Sequence, residues 1–151
     1  MDELLRAREV CAGYGQENVL RKVSFSVQAG ELCALLGSNG SGKSTLLRCV
    51  CGLIPFRGSM TLEGEQLLHM SHRRRAQHVG YLSQKGGASP ALTALDVVLM
   101  GFNPLLGLLQ SPGSVHRVRA LETLEQVGAA QFAYRDFPPL SEGQKQLVLL
   151  A

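Results

Sequence analysis

Val23, Phe25 and Val27 alternate with Ser24 and Ser26, the two-residue period of a strand that buries one face. The turn Gln28-Ala29-Gly30-Glu31 leads into Leu32-Cys33-Ala34-Leu35-Leu36, an unbroken apolar run that predicts a strand covered on both faces. A glycine-rich loop over 37–42 follows at once. Beyond it Leu46, Leu47, Val50 and Ile54 recur at helical spacing, which predicts a helix over 43–54 ended by Pro55. Strand, glycine loop and helix in that order predict an α/β domain with a buried parallel sheet. Further strands are predicted at 59–62, closed by the Glu63-Gly64 turn, and at 79–83.

Helical signals take over from Thr93, which forms a capping-box pattern with Asp96 and opens a helix through Val97, Val98, Leu99 and Met100. A Gly/Pro-containing connector spans 101–113. Ser114 is placed to cap a second helix running to Val127, with Val115, Val118, Leu121 and Leu124 as its apolar positions and Gly128 as its stop. Pro138-Pro139 breaks the chain again. The basic stretch 69–78 lacks interleaved aromatic residues, and the rest of the chain is not basic, so it is read as a solvated helix face rather than a nucleic-acid surface.

Composition narrows the class. The 151 residues are 45% hydrophobic and 18% charged with a net charge of +3, which excludes a disordered chain. A domain of this size buries roughly 68–70% of its unfolded surface. No apolar run approaches the roughly 20 residues of a membrane helix. Met1-Asp2-Glu3 is not the start of a secretory leader. Cys11, Cys33, Cys49 and Cys51 lie among aliphatic residues without metal-ligand spacing, and are expected to be buried free thiols of a reducing compartment.

The chemistry is concentrated in Gly37-Ser38-Asn39-Gly40-Ser41-Gly42-Lys43-Ser44-Thr45, which satisfies G-x-x-x-x-G-K-[ST]. Its glycines let backbone N–H groups turn inward on phosphates, and the helix that follows presents its positive end to the same anion. Lys43 supplies a compact charge for the outer phosphates, and the Ser44 hydroxyl a ligand for Mg²⁺. Four fixed positions match by chance in roughly one chain of this length in a hundred. The predicted strand before the loop and helix after it are the context the mechanism requires, so a nucleotide triphosphate with Mg²⁺ is the expected ligand.

With these motifs in place the sequence resembles the ATP-binding subunits of ABC transporters. Tyr14, the loop at 37–45, Gln84 in Tyr81-Leu82-Ser83-Gln84, and Leu140-Ser141-Glu142-Gly143-Gln144 stand in the family's order, the last resembling its signature L-S-G-G-Q. The resemblance implies a phosphate-loop nucleotide hydrolase fold of the α/β class with a parallel sheet core, an N-terminal antiparallel β portion and a helical subdomain, incomplete at the C-terminus. It divides the chain into 1–84, the β portion and phosphate-loop core; 85–140, the helical subdomain; and 141–151, the start of the signature helix. Tyr14 would stack on adenine, and Gln84 would contact Mg²⁺ or the attacking water. Ser141, Glu142, Gly143 and Gln144 would close on the ATP of a second nucleotide-binding subunit in a head-to-tail dimer. A membrane-spanning permease would be the other partner, with the subunit cytoplasmic and peripheral on the inner face of the membrane. Val19-Leu20-Arg21-Lys22-Val23-Ser24-Phe25, Ala34-Leu35-Leu36-Gly37, and 96–104 followed by Ser111-Pro112 resemble the importer branch for iron-siderophore, haem or cobalamin uptake.

Two departures qualify the resemblance. Glu142 stands where Gly is usual, and a carboxylate 4 Å from a phosphate charge is repelled by about 1 kcal/mol in water and about 4 kcal/mol at an effective dielectric of 20, whereas one pointing aside favours the positive helix end by roughly 0.3–1 kcal/mol; a weakened rather than abolished dimer is expected. Second, the only aspartates are Asp2, Asp96 and Asp136, and none ends an aliphatic strand as the Mg²⁺-binding Asp of a phosphate-loop ATPase does. A following catalytic Glu and a later switch His are also missing. The apolar stretch 147–151 carries no stop signal, so the chain reads as truncated after the signature, with little or no hydrolysis expected of it alone. The alternatives are a non-catalytic ATP-binding fragment and a soluble ABC ATPase outside transport. For the latter, the 98 residues from Lys43 to Ser141 (141 − 43) leave no room for a long coiled coil.

Overall fold

The alternation at 23–27 belongs to a longer strand than predicted, β2 (Glu17–Gln28), which pairs antiparallel with β1 (Glu3–Tyr14) across a two-residue Gly15-Gln16 turn. The computed structural model describes residues 3–82, 91–107 and 109–151. Within these the chain forms two compact units, 1–80 and 81–151, each taken by itself below.

In the first unit, β3 (Arg57–Leu62) lies on the other edge of β1 and β4 (Glu65–Gln66) pairs with β3, giving a wholly antiparallel sheet in the order β2-β1-β3-β4. The β3–β4 turn is Glu63-Gly64, with φ of 50° and 80°, the positive pair that a tight primed hairpin turn requires. β1 carries a bulge at Glu9, whose φ is 48°, so that its buried residues Ala7, Val10 and Ala12 are spaced by three and then by two. Gly58 accommodates this bulge: a Cβ there would stand 2.5 Å from the carbonyl oxygen of Glu9 and 2.7 Å from that of Arg8. Glycine is required at this position by sterics, beyond its φ of 99°.

Two predicted strands are corrected. Residues 32–36 and 79–82 pair with no strand among the described residues, and Leu32 and Leu36 are 98% and 88% exposed. An apolar run becomes a strand only where neighbours supply ladder hydrogen bonds, and for these two stretches none of the described residues does. Residue 83, the end of the second, lies outside the described residues. The helix predicted over 43–54 is shorter: α1 spans Lys43–Val50 with Cys51 as its C-cap, and Gly52 follows at φ 69°, a left-handed residue that ends it before Pro55. Ile54 still packs on the core of Ala7, Val10, Leu46, Cys49, Met60 and Leu67.

The basic stretch forms α2 (His72–His78), capped by Ser71 Oγ, which accepts from Arg74 N at 3.2 Å. It is not uniformly solvated. Arg74 pairs with Glu65 at 2.8 Å and His78 with Glu63 at 3.3 Å, while Arg75 is buried, its Nη2 donating to the Leu67 carbonyl. One helical turn beyond the Ser71 cap, position 75 falls on the inner side of a short helix, so charge alone misplaces it. The cysteines divide likewise. Cys49 is buried, and burial pushes its thiol up to about 11; Cys11 and Cys51 are half-buried, and Cys33 is exposed with the run that contains it.

The second unit contains α3 (Ala94–Met100), α4 (Ser114–Gln126) and α5 (Glu142–Leu150), with 3-10 turns at Asn103–Leu105 and Ala130–Phe132. The Thr93–Asp96 capping box forms: Thr93 Oγ1 accepts from Asp96 N at 3.2 Å, and Asp96 Oδ2 accepts from Thr93 N at 3.1 Å and Thr93 Oγ1 at 2.6 Å. The next amides of α3 reach carbonyls of the later loop, Ala94 N to Arg135 O at 2.9 Å and Leu95 N to Ala133 O at 2.8 Å. The core is built from Leu95, Val98, Leu124, Phe132, Phe137 and Val148 with their neighbours. Helix α4 starts as its apolar residues suggest, but the cap is Gly113, whose N–H donates to His116 Nδ1 at 3.1 Å, and not Ser114. Its inward line is also shifted, with Ala120 and Leu124 buried while Val115 and Val118 are exposed.

Candidate functional site

The loop over 37–42 turns on itself through Ser41 N donating to Ser38 O at 3.2 Å, then enters α1, whose first helical bond runs from Leu46 N to Gly42 O at 2.9 Å. The amides of Lys43, Ser44 and Thr45 precede that bond and have no partner within the helix. No side chain caps this end, and its first turn contains no acidic residue. Gly42 sits at φ 95° against Leu20 and Val19, where a Cβ would lie 2.8 Å from Leu20 Cδ2. The glycine therefore serves both the left-handed turn and the close seating of the loop on β2.

Lys43 folds over the loop rather than out to solvent. Its Nζ donates to the carbonyl oxygens of Gly37 and Ser38, both at 2.7 Å. The ammonium thus stands at the loop mouth, fixed by two bonds, with a third N–H in hand. Backbone donors from the helix start and a fixed cation stand at the same exposed loop, an arrangement suited to a polyphosphate. Ser38, Asn39, Gly40 and Ser41 line the exposed loop, and Ser44 follows, also exposed, in the first turn of α1.

Tyr14, predicted as the adenine platform, closes β1 and is 47% exposed. Its hydroxyl accepts from Arg48 Nη1 at 3.0 Å. Arg48 foremost, and the Thr45 side chain after it, hold the phenol below its usual value. Tyr14 is thereby joined to the helix that starts at the phosphate loop. Arg48 had not been singled out from sequence; the signal available was its spacing of three from Thr45, which puts both on one face of α1.

The signature residues occupy the start of α5 in the second unit. Ser141 Oγ accepts from Gln144 N at 3.4 Å and Ser141 N donates to Gln144 Oε1 at 3.0 Å, a complete capping box. Glu142 is turned along its own helix, with Oε1 2.9 Å from Lys145 Nζ. Gly143 has open space around it. Gln84 lies outside the described residues.

Asp96 and Asp136 are the aspartates of the second unit. Asp96 is held in the α3 cap, where its bonds from Thr93 keep the carboxyl below the usual range, and Asp136 pairs with Thr93 in an isolated β-bridge. Among the described residues no group of three or more His, Cys, Asp or Glu is gathered as a metal site. No described helix is long and apolar enough to cross a membrane.

The family profile described as ABC transporter matches residues 20–151. The chain is 36% identical over 139 residues to the manganese transport system ATP-binding protein MntB of Listeria innocua, covering 91% of this chain and 57% of that protein. It is 38% identical over 144 residues to the zinc transport system ATP-binding protein TroB of Treponema pallidum, covering 95% and 53%. The chain thus spans about half the length of these curated relatives. Among solved structures, a dimeric bacterial ABC transporter cassette superposes with a TM-score of 0.84 at 27% identity, over 97% of this chain and 67% of that one. An inward-facing structure described as of the metal-chelate type gives 0.76 at 28% identity, over 98% and 55%. The fold is that of ABC ATP-binding cassettes.

Proposed function

Because the chain belongs to the ABC transporter family, we propose that it is the nucleotide-binding N-terminal part of an ATPase subunit that drives import across a membrane. The observation that carries this reading is the loop over 37–45, where Lys43 is pinned at 2.7 Å to two carbonyls across the mouth of an uncapped helix start. ATP would lie with its phosphates on the amides of 40–45 and its outer phosphates against Lys43, and with adenine on Tyr14. The Ser44 hydroxyl fits as one neutral ligand to a Mg²⁺ held mainly by phosphate oxygens and water, and the ion would neutralise phosphate charge. Gln84 would add a second oxygen.

Glu142 bears on the proposed dimer. Its pairing with Lys145 directs the carboxylate along α5, so that Ser141 and the helix start remain the groups offered to a partner's phosphate. The head-to-tail dimer is supported by the likeness to a dimeric cassette, and the membrane permease by the transport systems to which the relatives belong. The cytoplasmic, membrane-peripheral location follows from those partners. The cargo reading changes from the siderophore, haem or cobalamin class to a transition-metal ion, because the relatives are named for manganese and zinc. A chelated metal is the second reading, favoured by the metal-chelate likeness. Uptake of manganese, zinc and a ferric chelate in cells lacking the full-length protein separates the two.

Nucleotide binding is tested on the chain itself by calorimetry with MgATP. Lys43→Ala is expected to weaken binding by about 100-fold, the loss of a charge-assisted contact of about 3 kcal/mol. Equal affinity of the variant and the parent would overturn the assignment. With the catalytic carboxylates missing, phosphate release by the parent chain is expected to stay near background.

A further inference from the structure

The Tyr14 hydroxyl is held from the helix that opens on the phosphate loop. Arg48 Nη1 donates to it at 3.0 Å, and Thr45 lies three residues earlier on the same face of α1. Thr45 is buried and its position fixed by packing, whereas Arg48 reaches across the surface in the last turn of α1. Tyr14 itself lies next to the Gly15-Gln16 hairpin turn, with nearly half its surface in solvent. A half-exposed ring at the end of a hairpin has little packing to set its plane. A platform that must be ordered when the base arrives binds more weakly than one already ordered, because binding then bears the cost of lost rotamer freedom.

We propose that Arg48 is a positioning residue for nucleotide binding: by holding the Tyr14 hydroxyl it sets the ring plane relative to the phosphate loop, so that α1 carries both the phosphate cradle and the orientation of the base platform. The inference rests on the reading of Tyr14 as that platform. A basic residue in the last helical turn also complements the helix dipole, a purely structural role that Arg48 would share with any cation there. The two roles differ in what they predict. Dipole compensation acts on stability and treats every ligand of the loop alike. Positioning acts only on ligands with a base.

The experiment compares the affinity of the 151-residue chain for MgATP with that for magnesium tripolyphosphate, which has the phosphates and no base. Arg48→Met and Tyr14→Phe are each expected to weaken ATP binding about three- to tenfold, the range for loss of one hydrogen bond, and to leave tripolyphosphate binding within about twofold. The double variant is expected to be no weaker than either single one, because both remove the same bond. Arg48→Lys, which retains a donor, is expected to recover part of the loss. Equal weakening of both ligands by Arg48→Met, or no weakening of ATP, would overturn the inference. Tyr14→Ala separates the two levels. If it leaves ATP affinity unchanged while tripolyphosphate still binds, the platform reading fails and the positioning role with it; if it weakens ATP strongly while Arg48→Met does not, only the positioning role fails.

Discussion

Helices α1 and α5 both begin at the residues that define the family, and they begin in opposite ways. α1 starts on a left-handed glycine with no side chain at its cap and no acid in its first turn, which leaves its amides and the Lys43 ammonium for an outside anion. α5 starts on Ser141, whose hydroxyl and amide are both engaged with Gln144, and its first-turn acid is paired with Lys145. The first end is built for a ligand and is costly to form, because its donors have no partner among the described residues. The second is partly capped from within, through Ser141 and Gln144, before any nucleotide approaches. A phosphate reaching α5 would have to share Ser141 with a bond already made, a reason for this contact to be the weaker of the two.

The contrast can be broken most strongly at the glycines. Gly42→Ala forces an L-residue to φ 95° beside Leu20. It is expected to cost about 1–3 kcal/mol, read as a melting temperature roughly 3–10 °C lower, together with loss of ATP binding. Gly143→Ala lies within α5 with open space around it and should do the reverse, adding up to about 0.5–1 kcal/mol. Destabilisation by both substitutions would show that the two helix starts are under the same constraint.

A smaller effect is expected from Ser141→Ala, which removes the cap and should cost about 1 kcal/mol in thermal unfolding while leaving MgATP affinity of the isolated chain unchanged. The smallest concerns acid. Asp96 has its pKa lowered in the folded chain by its bonds from Thr93, so its contribution is complete above the unfolded value of about 3.9 and is lost as pH falls through the lower folded value. Asp96→Asn should flatten the acid limb of the melting temperature below about pH 4, by a modest amount because the half-buried carboxylate is still partly screened by solvent.

What could be read in advance follows from how local each signal is. The capping boxes at Thr93 and Ser141 and the Glu63-Gly64 turn depend on residues within three positions of one another, and all three formed. β1 was hidden because the bulge at Glu9 breaks its alternation, putting Ala7 and Val10 three apart, and the compensating Gly58 lies 49 residues away (58 − 9). Residues 32–36 misled for a related reason: an apolar run states a need for cover but cannot supply it. Arg75 was misplaced because hydrophobicity assigns every arginine to solvent, whereas this one is buried with its Nη2 donating to the Leu67 carbonyl. At the candidate site, the position of the loop at the start of α1 was legible from spacing, while the Arg48 bond to Tyr14 spans 34 residues and emerged only in three dimensions.

The exposed run at 32–36 also bears on how the isolated chain behaves in solution. Leu32 and Leu36 stand almost fully in water, and exposed aliphatic side chains next to one another favour association between copies, so light scattering of the isolated chain is expected to rise with concentration.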